Sequence, residues 1–252
     1  MNFKVLCIGG ICLLDERKLV WFKIEKLDIL RKPVVCYHRC TEKRRKSSMK
    51  NTNGKIMKLA QTALMAALCY VSFTFLQIKI PMPGGADATS LHIGNAFCVL
   101  GALFLGGWYG GMAGAIGMTI ADLMDPIYIV GAPKTFVLKL CIGLITGFVA
   151  HKIAHINEST DKKYVFKWSV IASVAGLGFN VVADPLVGYF YKQYILGQPQ
   201  EMASLLAKWS TATTFVNAVV SVILVGFMYN ALRPVLIKTG ILVTRGTVHR
   251  NA

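Results

Sequence analysis

Apolar residues cluster into six long runs along this chain, and short polar segments separate the runs from residue 57 onward. The runs predict helices at about 57–78, 91–105, 108–123, 134–150, 168–189 and 209–232. Several of them reach the roughly 20 apolar residues that a helix needs to cross a ~30 Å hydrocarbon core. The pattern therefore predicts an all-α membrane protein, a bundle of six transmembrane helices.

Composition agrees with a membrane domain. The 252 residues are 54% hydrophobic and only 16% charged, and the mean hydropathy is +0.52. Soluble domains usually carry about 25% charged residues. We therefore interpret residues 57–236 as one membrane domain, followed by a cytoplasmic tail at 237–252.

The net charge of +16 is distributed in a way that does not favour nucleic-acid binding. Within the membrane domain, the basic residues lie mostly at helix ends and in short loops. The positive-inside rule places such residues on the cytoplasmic side. Because the basic residues concentrate in alternate loops, we predict six spans with both termini in the cytoplasm. We expect no nucleic-acid partner.

Residues 1–56 form a basic extension outside the predicted bundle. Residues 1–48 contain 12 Lys or Arg against 5 Asp or Glu, and the segment includes the run Lys43-Arg44-Arg45-Lys46. One interpretation is a disordered cytoplasmic tail. The other is a misplaced start, with the true start at Met49 or Met57, because codons AGG-AGG-AAA for residues 44–46 would read as a ribosome-binding site.

Several catalytic and structural chemistries find no support in the sequence. The seven cysteines show no standard zinc spacing, so we expect neither a metal site nor a disulfide framework. No Gly-x4-Gly-Lys-Ser/Thr string occurs, and no nucleophile–base pair has a recognised spacing. We therefore expect no enzyme and no cofactor, and if the protein transports a substrate, the energy must come from elsewhere.

Small residues mark two predicted helix faces. Ala63 and Ala67 lie four residues apart on the first helix, a spacing that allows another helix to approach closely. On the third helix, one stripe contains Gly106, Gly110 and Gly114, and an adjacent stripe is formed by Gly107, Gly111 and Ala115. These stripes predict tight helix packing.

Polar residues inside the apolar runs are candidates for function, because an ionisable residue in a bilayer costs about 2.5–3.5 kcal/mol on insertion scales. All are predicted in the outer half of the membrane, where they would surround an outward-facing pocket. The alternatives are a structural Lys139–Asp184 ion pair, solvated helix ends and interhelical amide bonds. The predicted substrate-binding residues are Asn95, Asp122, Lys139, Asn180, Asp184 and Asn217.

A family resemblance rests on particular segments. They are LAQTALMAALCYV at 59–71, IPMPGG at 80–85, LHIGNAFCVLGALFLGGWYGGMAGAIG at 91–117, IADLMD at 120–125 and APKTFVLKLCIGLITG at 132–147. Over about 180 residues the chain resembles the S components of energy-coupling factor (ECF) vitamin transporters, in the group called ECF-type riboflavin transporter, S component. Members of that group include pyridoxine- or hydroxymethylpyrimidine-type carriers.

The resemblance implies a multi-pass protein of a bacterial cell membrane that captures a water-soluble vitamin at its external face. The vitamin would belong to the riboflavin, pyridoxine, hydroxymethylpyrimidine or pantothenate class. It further implies partners, namely a membrane T component and two ATPases, with Ala63 and Ala67 matching the coupling face. The loop containing Pro81, Pro83, Gly84 and Gly85 matches the external gate.

Two other functions remain open from the sequence. One is a stand-alone secondary transporter or channel, in which buried Lys139, Asp184 and Asp122 relay ions. Its uptake would survive without ATPases and would collapse with the ion gradient. The other is a membrane-embedded assembly or regulatory subunit, which would bind no small molecule.

Overall fold

The computed structural model describes residues 6–8, 11–13, 54–81, 88–159 and 161–239. The chain divides into an N-terminal unit at Met1–Thr52 and a second unit at Asn53–Ala252. In the N-terminal unit, strand β1 (Leu6–Ile8) pairs antiparallel with β2 (Ile11–Leu13). The basic run, Met49 and the tail after residue 239 lie outside the described residues.

The second unit consists of six α-helices and one β-hairpin in its described part. The helices are α1 (Gly54–Phe75), α2 (Gly94–Leu105), α3 (Gly107–Met124), α4 (Ala132–Phe148), α5 (Lys162–Phe190) and α6 (Gln200–Lys238). A 3-10 turn at Ile129–Gly131 precedes α4. π-helical turns extend α4 to Ile153 and α5 to Ile195.

Four helical segments in the described part are long and apolar enough to cross a membrane. They are Gly54–Phe75, Ile129–Ile153, Lys162–Ile195 and Gln200–Lys238. The prediction of an all-α membrane protein is thus confirmed. The two other helices, α2 and α3, do not meet this criterion of length and apolarity. Helix α2, for example, has 12 residues and is about 18 Å long.

The first predicted helix ended three residues too late, because α1 ends at Phe75 and a β-hairpin follows it. Strand β3 (Gln77–Pro81) pairs antiparallel with β4 (Ala88–His92), and Gln77 lies opposite His92. Ile78 and Ile80 alternate with polar residues, which is the period of a strand. The predicted helix included Gln77 and Ile78 because the apolar run continues into the start of β3.

The ends of α5 and α6 also differ from the predicted bounds. Helix α5 begins at Lys162 instead of 168, where Asp161 Oδ1 accepts a 3.0 Å hydrogen bond from the Lys163 backbone N–H. An Asp at this position satisfies a free amide of the first turn. Helix α6 begins at Gln200, nine residues before the predicted start, so the predicted loop at 190–208 is largely helical.

Helix α3 packs tightly against its neighbours through its glycines, as the two stripes predicted. A Cβ atom on Gly110 would lie 2.1 Å from the backbone nitrogen of Ala102 in α2. One on Gly143 of α4 would lie 2.2 Å from the Cα atom of Gly111. Helix backbones approach this closely only where no side chain separates them.

Helix α1 buries one face and exposes the other. A Cβ atom on Gly117 of α3 would lie 2.2 Å from the carbonyl oxygen of Ala66, so the two helices are in close contact there. Cys69 is fully buried on the same side. Ala63 and Ala67, in contrast, lie on the exposed face. The small-residue face of α1 is therefore not used within this chain's described part.

Candidate functional site

A cavity of about 360 Å³ lies at one end of the helical bundle. The β3–β4 hairpin, the α3–α4 connection, the C-terminal part of α5 and the N-terminal half of α6 border it. Pockets for small molecules typically measure about 300–1,000 Å³. All six polar residues that the sequence predicted at a binding site line this cavity: Asn95, Asp122, Lys139, Asn180, Asp184 and Asn217.

Asp184 of α5 is held by three donors from two other helices. Its carboxylate accepts from Lys134 Nζ at 3.0 Å, from Ser210 Oγ at 2.6 Å and from Thr214 Oγ1 at 3.2 Å. The Lys134 and Asp184 side chains are only 19% and 16% exposed. The structural ion pair considered from the sequence is therefore formed by Lys134, and not by Lys139.

Lys139 of α4 is a second cation on the cavity wall. The residue is 8% exposed. No residue in the described ranges forms an ion pair or hydrogen bond with its ammonium group. Asp122 of α3, 3% exposed, lines the same cavity. Lys139 thus differs from Lys134, whose charge is balanced within the protein.

Two asparagines present unused amide oxygens. Asn95 of α2 is 2% exposed and Asn180 of α5 is 1% exposed. The Oδ1 atoms of both accept no hydrogen bond from the part of the chain that the structure describes. Buried polar atoms are normally hydrogen-bonded. Both residues line the cavity, and their Oδ1 atoms are themselves buried.

Asn217 of α6 uses both ends of its amide on the hairpin. Its Oδ1 accepts from the His92 backbone N–H at 3.0 Å, and its Nδ2 donates to the Ser90 carbonyl at 2.9 Å. The hydroxyls of Thr89 and Thr213 lie 2.8 Å apart and form a further bond between hairpin and helix. Asn217 therefore fastens β4 to α6 as well as lining the cavity.

An aromatic group closes the side of the cavity next to α1. The Phe73 ring packs edge-on against His92 at a centroid distance of 4.6 Å and against Tyr128 at 6.0 Å. Burial, reinforced by the charge of Lys139, lowers the pKa of His92 to about 3. His92 is therefore neutral at physiological pH, and its Nδ1 has no partner among the described residues.

An ion pair joins the hairpin to the α3–α4 connection at the cavity rim. Lys79 of β3 donates to Asp125 and holds the pKa of that carboxyl below its usual range. The Lys79 ammonium also lies 5.6 Å from the ring centroid of Tyr128. Pro81 ends β3. The other residues of the predicted gate, Pro83, Gly84 and Gly85, lie outside the described residues.

Sequence reasoning missed four cavity residues that matter to its geometry: His92, Tyr128, Ser210 and Thr214. A signal for two of them was present. Ser210, Thr214 and Asn217 recur at helical spacing and so share one face of α6. The predicted start of α6 at 209 left these residues in its first turns, where polar side chains look like ordinary helix-end residues.

Comparison with known proteins gives one match. The family model described as ECF-type riboflavin transporter, S component, matches residues 53–234. The matched range contains the β3–β4 hairpin, all cavity residues and nearly all of α1 to α6. No curated protein and no solved structure matches the chain.

Proposed function

We propose that this chain, which belongs to the family of ECF-type riboflavin transporter S components, holds its vitamin in the cavity beneath the hairpin. S components are the substrate-binding subunits of vitamin uptake systems and are not enzymes. The cavity carries the proposal, because charged and amide side chains from α2 to α6 converge on it. Asn95, Asp122, Lys139 and Asn180 are the proposed contacts to the ligand.

The proposed ligand is a water-soluble vitamin or precursor of the riboflavin, pyridoxine, hydroxymethylpyrimidine or pantothenate class. Such molecules carry several hydrogen-bonding groups on a small framework. A pocket with a few well-placed polar groups orients a ligand of this kind. The cavity lining includes the amides of Asn95 and Asn180 and the side-chain nitrogen of Lys139.

The proposed topology has six spans, both termini in the cytoplasm of a bacterial cell and the cavity facing outward. The connections α1–α2, α3–α4 and α5–α6 lie at the cavity end. The opposite end carries a concentration of basic residues, which by the positive-inside rule is the cytoplasmic end. Those in the described ranges are Lys55, Lys58, Lys152, Lys162, Lys163, Lys167, Arg233 and Lys238. The basic extension that precedes α1 is proposed to take no part in transport.

The proposed coupling surface is the exposed face of α1 around Ala63 and Ala67. Both residues are exposed although they are small and apolar. Small residues on a free helix face allow a partner helix to approach closely. The partner proposed here is the membrane T component, which two ATPases drive on the cytoplasmic side.

The β3–β4 hairpin is the proposed external gate, and Asn217 is its anchor. Asn217→Ala would leave the His92 N–H and the Ser90 carbonyl without partners, at about 1–3 kcal/mol for each group that stays buried. We expect weaker vitamin binding and faster release, measured by stopped-flow fluorescence or calorimetry on purified protein. Thr213→Val, which removes only one side-chain bond to the hairpin, is the milder comparison. Wild-type release rates in Asn217→Ala would show that the hairpin is not a gate.

The stand-alone transporter remains the alternative, with Lys139, Asp184 and Asp122 as an ion relay. Asp184 already accepts three hydrogen bonds, one of them from Lys134. A relay group must exchange its proton or ion during transport, whereas a carboxylate held by an ammonium and two hydroxyls is stabilised in its charged form. This geometry favours a structural role for Asp184.

Co-purification tests the proposed function. The chain with an affinity tag is expressed together with the T component and the two ATPases. We expect all three partners to be retained on the affinity resin, and vitamin uptake to require ATP hydrolysis. A folded chain that never retains the partners, or uptake that persists with inactive ATPases and stops when the ion gradient is collapsed, would favour the stand-alone transporter.

A further inference from the structure

We infer that the substrate of this cavity carries a negatively charged group, which the ammonium group of Lys139 receives. The inference rests on the proposed function and deepens it, because it names the charge class of the substrate. It is based on the surroundings of Lys139, on the hydrogen bonds of Asp184, and on the buried amides of Asn95 and Asn180.

Lys139 is a buried lysine whose side-chain nitrogen has no ion-pair or hydrogen-bond partner in the part of the chain that the structure describes. It is 8% exposed, and in the described part of the chain no carboxylate lies within ion-pair distance of its ammonium. Buried charges are normally paired, because a charge that leaves water loses its solvation. A charge kept in this state faces the cavity instead of another side chain, as expected of a group that completes its contacts with a ligand.

The nearby carboxylates do not take that place. Asp184 already accepts from Lys134, Ser210 and Thr214. Asp122 lines the same cavity and forms no ion pair with Lys139. The protein thus balances Lys134 internally, while it leaves Lys139, on the same helix, open to the cavity.

The remaining polar groups define the rest of the substrate. The buried Oδ1 atoms of Asn95 and Asn180 accept no hydrogen bond from the described residues, and a hydroxyl or amide N–H is the kind of group that would complete their contacts. The volume of about 360 Å³ is near the lower end of the usual range for ligand pockets. Together with Lys139, this volume indicates a small organic anion, and carboxylic acids are its simplest probes.

Two matched pairs of probes test the charge. In the first pair, pantothenate has a carboxylate where pantothenol has a neutral alcohol. In the second pair, nicotinate has a carboxylate where nicotinamide has a neutral amide. Calorimetry on the purified full chain measures binding of all four. We expect an acid to bind at least about tenfold more tightly than its neutral partner, as one charge-assisted hydrogen bond provides.

Variants of Lys139 test whether its ammonium group causes the preference for the acid over its neutral partner. Lys139→Met should remove the preference for the acid, and Lys139→Arg should retain much of it because the positive charge remains. Lys163→Met, at an exposed position on α5, is the control and should bind as the wild type does. Lys139→Met should also raise the Tm of the ligand-free protein, since it removes an unpaired buried charge.

Three results would overturn the inference. They are a neutral probe that binds as tightly as its acid, a Lys139→Met protein that keeps the preference, and a panel in which neither acid binds. A fall in the Tm of ligand-free Lys139→Met would show that Lys139 stabilises the fold instead. The proposed function is judged separately, because retention of the T component and ATPases does not depend on which vitamin is bound.

Discussion

Tryptophan at Ala63 or Ala67 is expected to abolish vitamin uptake in cells and to leave vitamin binding by the purified protein unchanged. Both alanines are exposed on α1 and lie away from the cavity lining. An indole ring there prevents close approach of a partner helix, because that approach depends on small side chains. Uptake of radiolabelled vitamin and calorimetric binding measure the two effects separately.

The control for added bulk is Val174→Trp, at a position on α5 that is 52% exposed. It enlarges another exposed apolar position without touching the α1 face, so uptake should remain near the wild-type level. If Ala63→Trp or Ala67→Trp loses vitamin binding, the face belongs to the pocket or to the fold. If uptake survives in both variants, the T component contacts a different surface.

Loss of the Asp184 carboxylate should produce the largest fall in stability. Asp184→Ala leaves the Lys134 ammonium unpaired and removes the acceptor for the Ser210 and Thr214 hydroxyls. Removal of one partner of a buried ion pair costs about 3–5 kcal/mol. We expect a marked fall in Tm in detergent and a low yield of monodisperse protein.

A double variant separates the lost ion pair from the lost volume. Lys134→Met combined with Asp184→Leu replaces both charges by apolar groups, a change that is often neutral in buried pairs. The double variant should recover much of the stability that Asp184→Ala loses. Equal destabilisation of single and double variants would show that the lost hydroxyl bonds from α6, and not the lost ion pair to α4, cause the fall in stability.

Much of the helical fold follows from local rules that the sequence displays. Apolar runs of sufficient length locate the helices, and the glycine spacing on α3 locates its close contacts with α2 and α4. The six polar residues stand out because charges and amides are rare in apolar runs. Their convergence on one cavity follows from the up-and-down order of the helices, which places alternate helix ends together.

The finer arrangement depends on tertiary contacts that local patterns do not encode. Lys134 and Lys139 both lie on α4, and only the packing against α5 decides which one reaches Asp184. The β3–β4 hairpin depends on Asn217, more than 120 residues away in the sequence. A local sequence pattern shows neither the partner strand nor the anchoring residue, so the first residues of β3 were predicted as the end of an apolar helix.

Native mass spectrometry of the purified wild-type protein tests most directly whether the cavity holds a small vitamin. We predict a fraction of molecules with the added mass of one vitamin-sized ligand, released on collisional activation and restored by adding that vitamin to the ligand-free protein. A chain that always carries its bare mass, and that shows no mass shift with any vitamin of the proposed classes, would contradict the assignment of the cavity.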